Sequence, residues 1–108
     1  MALEPYMKDI RNEILYFGDL DYEGILIYET LEKTFADFGI IRPFIPAYLA
    51  LLNKGDKIQT LPQSKEHQNQ NNRGSFFSCF DNHTVNRMKN ILESGRYIPQ
   101  EILSIKDY

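Results

Sequence analysis

The chain has 108 residues, enough for one domain with a modest core, and its 43% apolar and 13% aromatic content is that of a folded globular protein. A net charge of −3 argues against this chain alone being a strong nucleic-acid binder, because phosphate contacts dominate such affinity. The single cysteine, Cys79, excludes an internal disulfide, no Cys/His spacing suggests a zinc site, and no apolar stretch approaches a membrane span in length.

Residues Ala2 to Asn12 read as a short helix, with Leu3, Met7, Ile10 and Ile14 at helical spacing and Pro5 tolerated in the first turn. The same stretch lacks the apolar centre of a signal peptide. "ILYF", Ile14 to Phe17, reads as a buried strand stopped by Gly18. A second helix is expected from about Tyr22 to Phe38. Gly24, Tyr28, Leu31, Phe35 and Phe38 form one face of it, and Glu29, Glu32, Lys33 and Asp37 the other. Gly39 fits the position that ends such a helix. "IIRPFI" reads as the next strand, with Pro43 marking an edge or an early end. "PAYLALLNKG" follows as a short helix stopped by Gly55.

The composition then changes. "QSKEHQNQNNRGS", Gln63 to Ser75, holds no apolar residue and cannot repay its ordering entropy by burial, so a poorly ordered loop is expected. Phe76, Phe77 and Phe80 read as core fillers, and Cys79 among them as a buried structural thiol. Asp81 is placed to N-cap a last helix running to Ser94, with Val85, Met88, Ile91 and Leu92 on its apolar face and Gly95 stopping it. His83 near its start reads as a solvated or capping residue. "RYIPQEILSI" closes the chain as an extended piece with one helical turn.

Strands alternating with helices predict an α/β fold, a small parallel sheet flanked by helices, in a single domain over residues 1–108 with a polar mobile loop at 63–75. The expected core sets Ile14, Leu15, Tyr16, Phe17, Ile40, Phe44 and Ile45 beneath Tyr28, Leu31, Phe35 and Phe38. Two strands are few for a sheet, which points to a part supplied from upstream in a longer protein or by a second copy.

Asp19 and Asp21 carry the chemistry. In a parallel sheet functional groups collect at the carboxyl ends of strands, and alternation sets both carboxylates on one side of an extended backbone. Carboxylates this close repel, and Mg²⁺ or Mn²⁺ between them removes that cost. Glu23 is a candidate third oxygen donor, and Gly18 and Gly24 leave room for a phosphate to approach. The alternative is that one aspartate simply N-caps the helix that follows.

"FGDLDYEG", Phe17 to Gly24, resembles the D-x-D-x-x-G motif of Toprim domains, which occur in topoisomerases, primases and related nucleases. Its aromatic-Gly-Asp-Leu-Asp form most resembles the Toprim part of the Wadjet defence nuclease subunit, a relative of the topoisomerase VI A subunit. "RYIPQEIL", Arg96 to Leu103, is similar to that family's closing segment, in which a basic residue precedes a Gln-Glu pair. The resemblance implies a partial, Rossmannoid Toprim-like domain. It implies the C-terminal part of a metal-dependent DNA nuclease or topoisomerase-like protein acting in anti-plasmid or anti-phage defence. Asp19 and Asp21 would be catalytic and would bind Mg²⁺ or Mn²⁺ together with Glu23, while Gly24, Arg96 and Glu101 would support phosphate or DNA contacts. Double-stranded DNA would be the partner of the longer parent; separately, the small sheet leaves room for a homodimer, and the single Cys79 fits a reducing cytoplasm.

The family's acid/base glutamate lies on an earlier strand. Neither Glu4 nor Glu13 follows an apolar strand, so neither takes that role, and catalysis would belong to the longer protein. Two other readings use the same residues. A haloacid-dehalogenase-like phosphatase employs the first aspartate as nucleophile and the second as general acid, although Tyr22-Glu23 stands where that family has Gly-Thr or Gly-Val. A non-catalytic interaction module would keep the fold without the chemistry.

Overall fold

The computed structural model describes residues 12–64, 70 and 72–103. β1 (Asn12–Tyr16) and β2 (Gly39–Pro43) pair in parallel, in register from Asn12 against Gly39 to Tyr16 against Pro43, and α1 (Tyr22–Thr34) connects them. Parallel neighbours need such a crossover, because no tight turn can join them. Pro43 ends the ladder, and the N–H of Phe44 then closes onto the Tyr16 carbonyl at 2.7 Å. α2 (Ile45–Asp56) follows with Pro46 in its first turn, then a 3₁₀ turn (Phe77–Cys79), α3 (Asn82–Glu93) and a second 3₁₀ turn (Gln100–Ile102). The chain is thus α/β, with a two-stranded parallel sheet and three α-helices among the described residues. None of these helices is long and apolar enough to cross a membrane.

The core lies among the helices rather than on the sheet. Leu20, Ile25, Tyr28, Tyr48, Leu51, Leu52, Phe76, Met88 and Ile98 are buried there. Its centre is a chain of rings: Tyr28 meets Phe76 at 5.6 Å between centroids, and Phe76 meets Tyr48 at 5.2 Å, both edge to face. That geometry sets each ring's positive edge on its neighbour's negative face and adds about 0.5–1.5 kcal/mol per pair beyond burial.

Several expectations from sequence are corrected. The first strand is Asn12–Tyr16 rather than Ile14 to Phe17, and it is not buried: Ile14 is 42% and Leu15 54% exposed, on opposite sides of the strand. α1 packs against β2 and reaches β1 only through Tyr16, so Ile41 enters the core while Ile40 and Ile45 stay exposed. α1 stops at Thr34, not Phe38. The segment 35–38 turns on bonds from the Phe38 and Gly39 N–H groups to the Phe35 carbonyl, which leaves Phe35 and Phe38 at the surface and makes Gly39 the start of β2. Gly55 does not stop α2. It lies inside the helix, buried, where a Cβ would stand 2.7 Å from Ile98 Cδ1, so it is small in order to let the C-terminal segment pack. Cys79 is only partly buried. The helix read over Ala2 to Asn12 falls on residues 1–11, outside the described residues, except Asn12, which opens β1.

Glu29 overturns the predicted polar face of α1. Its side chain is buried, one turn beyond Ile25, and its carboxylate accepts N–H bonds from Arg73 (2.7 Å) and Phe76 (3.4 Å) and the Ser75 hydroxyl (3.2 Å). The Arg73 guanidinium donates in return to the Glu29 carbonyl at 2.7 Å. A buried carboxylate is tolerable only with such donors around it. Parts of the polar stretch from Gln63 to Ser75 are therefore tied down: Arg73 and Ser75 hang on Glu29, and Gln63 pairs with Arg96. The expectation of poor order over 65–69 and 71 lies outside the described residues. The α3 reading holds, with Asp81 as N-cap and Gly95 beyond the end at φ +77°.

Candidate functional site

Between Tyr16 and Tyr22 the chain leaves the sheet and turns into α1. Two anchors fix the path. The Gly18 N–H donates to the Tyr48 hydroxyl at 3.1 Å, and fully buried Leu20 exchanges backbone bonds with Ile98 at 2.8 and 3.2 Å. With Leu20 turned inward, Asp19 and Asp21 are its neighbours on an extended stretch and share the other side.

Each aspartate commits one oxygen to a backbone donor. Asp21 is the N-cap of α1, and its Oδ1 accepts the Gly24 N–H at 2.6 Å. Asp19 Oδ1 accepts the Gln100 N–H at 2.8 Å, which folds the C-terminal segment back onto the start of α1. Gly24 is required by this closure: a Cβ there would lie 2.3 Å from the Asp19 carbonyl oxygen and 3.0 Å from Asp21 Oδ1. The Tyr16 hydroxyl completes the ring by donating to the Gly24 carbonyl at 2.9 Å. Together Tyr16, Gly18, Asp19, Asp21, Glu23, Gly24 and Gln100 line an open depression of about 390 Å³ at the carboxyl end of β1.

The depression is negative. Burial first, then the charges of Asp21 and Asp19, push the Tyr16 hydroxyl up to about 12, and burial with the same two charges raises Tyr48 as well. Both phenols stay protonated throughout the physiological range, Tyr16 donating to Gly24 and Tyr48 accepting from Gly18.

The donor set suits a hard cation only in part. Asp19 and Asp21 present carboxylate oxygens on one depression, with exposed Glu23 at its rim. Among the described residues, however, no group of three or more His, Cys, Asp or Glu side chains is arranged to hold a metal ion. Glu101 is exposed beside Gln100 and does not supply the third ligand. Two carboxylates fit the open form of a Mg²⁺ site, in which waters and a ligand's phosphate oxygens fill the remaining positions. Arg96 stands elsewhere, its guanidinium donating to the Leu61 carbonyl at 3.0 Å, so it does not line the depression. His83 is exposed at the start of α3.

The structure brings Asp19, Asp21, Glu23 and Gly24 to one depression, where the sequence had singled out neither Tyr16 nor Tyr48 and had marked Gln100 only within the Gln-Glu pair of the resemblance. The two tyrosines carry no motif, and Gln100 contributes through its backbone, which side-chain patterns do not report. The chain matches no family model, and neither a curated protein nor a solved structure matches it.

Proposed function

We propose that the depression at the carboxyl end of β1 is a divalent-cation-assisted phosphate site, and that the chain is the C-terminal part of a Toprim-type, metal-dependent DNA nuclease or topoisomerase-like protein. One observation carries this reading: Asp19 and Asp21 face a single open depression in which Gly24 keeps a side chain out of the way. A Mg²⁺ or Mn²⁺ ion held by the two carboxylates would polarise a phosphodiester and offset charge on the leaving oxygen. The chain's own residues bind and orient. Asp21 is fixed by its cap and Asp19 by Gln100, so neither carboxylate needs to reorganise, and the α1 N-terminus adds a favourable field for a phosphate.

A second reading has its own support. Both aspartates already serve the fold through backbone bonds, which is what a non-catalytic interaction module would also need. Titration with Mn²⁺, followed by electron paramagnetic resonance of the free ion, separates the two. The phosphate-site reading expects weak binding by this chain, lowered at least tenfold in Asp19→Asn and Asp21→Asn. Asp19→Asn should leave the urea midpoint nearly unchanged, because an asparagine Oδ1 still accepts the Gln100 N–H. Equal Mn²⁺ binding in wild type and both variants would sink the reading. A longer protein containing this chain should nick plasmid DNA with Mg²⁺, and the same substitutions should abolish the nicking.

A further inference from the structure

A second, smaller cavity sits beside the first turn of α1. It measures about 200 Å³; Tyr22, Phe77, Lys89, Leu92 and Glu93 line it, with the amides of Gln70 and Asn72 at one side. That is below the roughly 300–1,000 Å³ of pockets that enclose whole small molecules, so it suits one ring of a larger ligand. Phe77 and Leu92, both buried, give it an apolar floor. The Lys89 ammonium is held 5.3 Å over the Phe77 ring, which fixes a donor at the cavity instead of leaving it to roam. Glu93, one turn further along α3, supplies an acceptor, and Tyr22 an aromatic wall with a hydroxyl. Burial, then the Glu93 charge, raises the Tyr22 hydroxyl above its ordinary value, in keeping with the two side chains facing each other.

The cavity's place gives it meaning. Tyr22 lines it, while the flanking Asp21 and Glu23 line the larger depression, so the two openings share the first turn of α1. A polynucleotide with a phosphate at the larger depression would have to pass Tyr22, which sits between Asp21 and Glu23 in the chain, to enter the smaller cavity.

We infer that this cavity takes an unpaired nucleobase bearing an exocyclic amine, stacked by Tyr22, with Glu93 accepting from the amine and Lys89 donating to a ring acceptor. The inference rests on the phosphate-site reading and adds to it that the strand is unpaired at the site. A base in a duplex offers no free face for stacking, whereas single strands are bound by aromatic walls of this kind. A carboxylate prefers adenine, cytosine or guanine over thymine, which lacks the amine.

Anisotropy of fluorescein-labelled oligo(dC) and oligo(dT), at low salt because the chain is acidic, tests this. Wild type should bind oligo(dC) more tightly than oligo(dT). Glu93→Ala should erase that preference, and Tyr22→Ala should weaken both oligonucleotides about tenfold, the lower range of one lost stacking contact. Glu93 is exposed, whereas Tyr22 is partly buried against the core, so circular dichroism and urea unfolding check that each variant folds. Absence of a dC preference, its persistence in Glu93→Ala, or no measurable binding to either oligonucleotide overturns the inference. The Mn²⁺ titration reads the phosphate site separately. If Asp19→Asn leaves Mn²⁺ binding intact while the dC preference depends on Glu93, the metal reading fails and the base pocket stands.

Discussion

Asp21 and Asp81 each precede a helix in extended backbone, at φ −145°, ψ 170° and φ −71°, ψ 165°, and each accepts the N–H of the third residue on, Gly24 at 2.6 Å and Thr84 at 2.7 Å. The local device is the same, and the surroundings are not. Asp81 is exposed and faces Thr84, a residue with a side chain whose hydroxyl joins the cap. Asp21 is buried, and its partner has no side chain, because the Asp19 carbonyl stands where a Cβ would go. Gln100 then closes on Asp19 from the far end of the chain. Capping alone explains the start of α3. It does not explain why the start of α1 also gathers a second carboxylate, a tyrosine hydroxyl and a returning segment around one depression.

The sharpest break of this comparison is Gly24→Ala. In a helix interior alanine is normally the better residue by up to about 1 kcal/mol. Here the new methyl meets a backbone carbonyl that cannot swing aside, so the sign reverses, and a loss in the upper part of the ~1–3 kcal/mol range for overpacking is expected. Urea unfolding measures it. If Gly24→Ala is stabilising, the closure around Asp19 is looser than the structure has it.

These two helix starts also show what a sequence can reveal. Asp81, the apolar stripe of α3 and Gly95 were legible because capping and helix termination depend on neighbours within a few residues. The alternation of strand and helix that implies a parallel α/β order was legible from local patterns as well. Glu29 was not. On a helical wheel it belongs with Glu32 and Lys33, and only donors from residues 73–76, more than forty positions away, make its burial tolerable. Gly55 read as a stop because glycine usually is one, while its partner, Ile98, is likewise distant. "ILYF" read as buried because an apolar run in a parallel strand is normally covered on both faces, and here only Tyr16 and Phe17 pack on the core while Ile14 and Leu15 stay exposed.

A smaller effect separates the two caps themselves. Asp21→Ala leaves the Gly24 N–H, on a buried residue, without its acceptor, and a cost of about 1–2 kcal/mol is expected, at the high end for N-caps. Asp81→Ala should cost less, since water replaces the lost acceptor at an exposed helix start. Thermal or urea midpoints of both variants decide the order. Equal losses would mean that burial adds nothing to the Asp21 cap.

The smallest expected effect is the acid response of Asp81, and it isolates the bare cap. The Thr84 backbone N–H, and after it the Thr84 hydroxyl, hold the Asp81 carboxyl below the usual carboxylate range. A charged acceptor is favoured in the folded state, so the folded chain gives up this proton at lower pH than the unfolded chain does. The stabilisation is therefore complete above the unfolded value, about 3.9, and disappears as the pH falls through the lower folded value. The group is fully solvated, which keeps the effect small. Urea midpoints of wild type and Asp81→Asn, compared from pH 6 down to strong acid, should show a wild-type advantage that is flat above the carboxylate range and closes below it. Asparagine caps about as well as aspartate but carries no charge, so the difference reports the ionised hydrogen bond rather than the loss of a cap. An advantage that persists unchanged into strong acid would assign the cap's strength to geometry alone and remove charge from the account of how α3 begins.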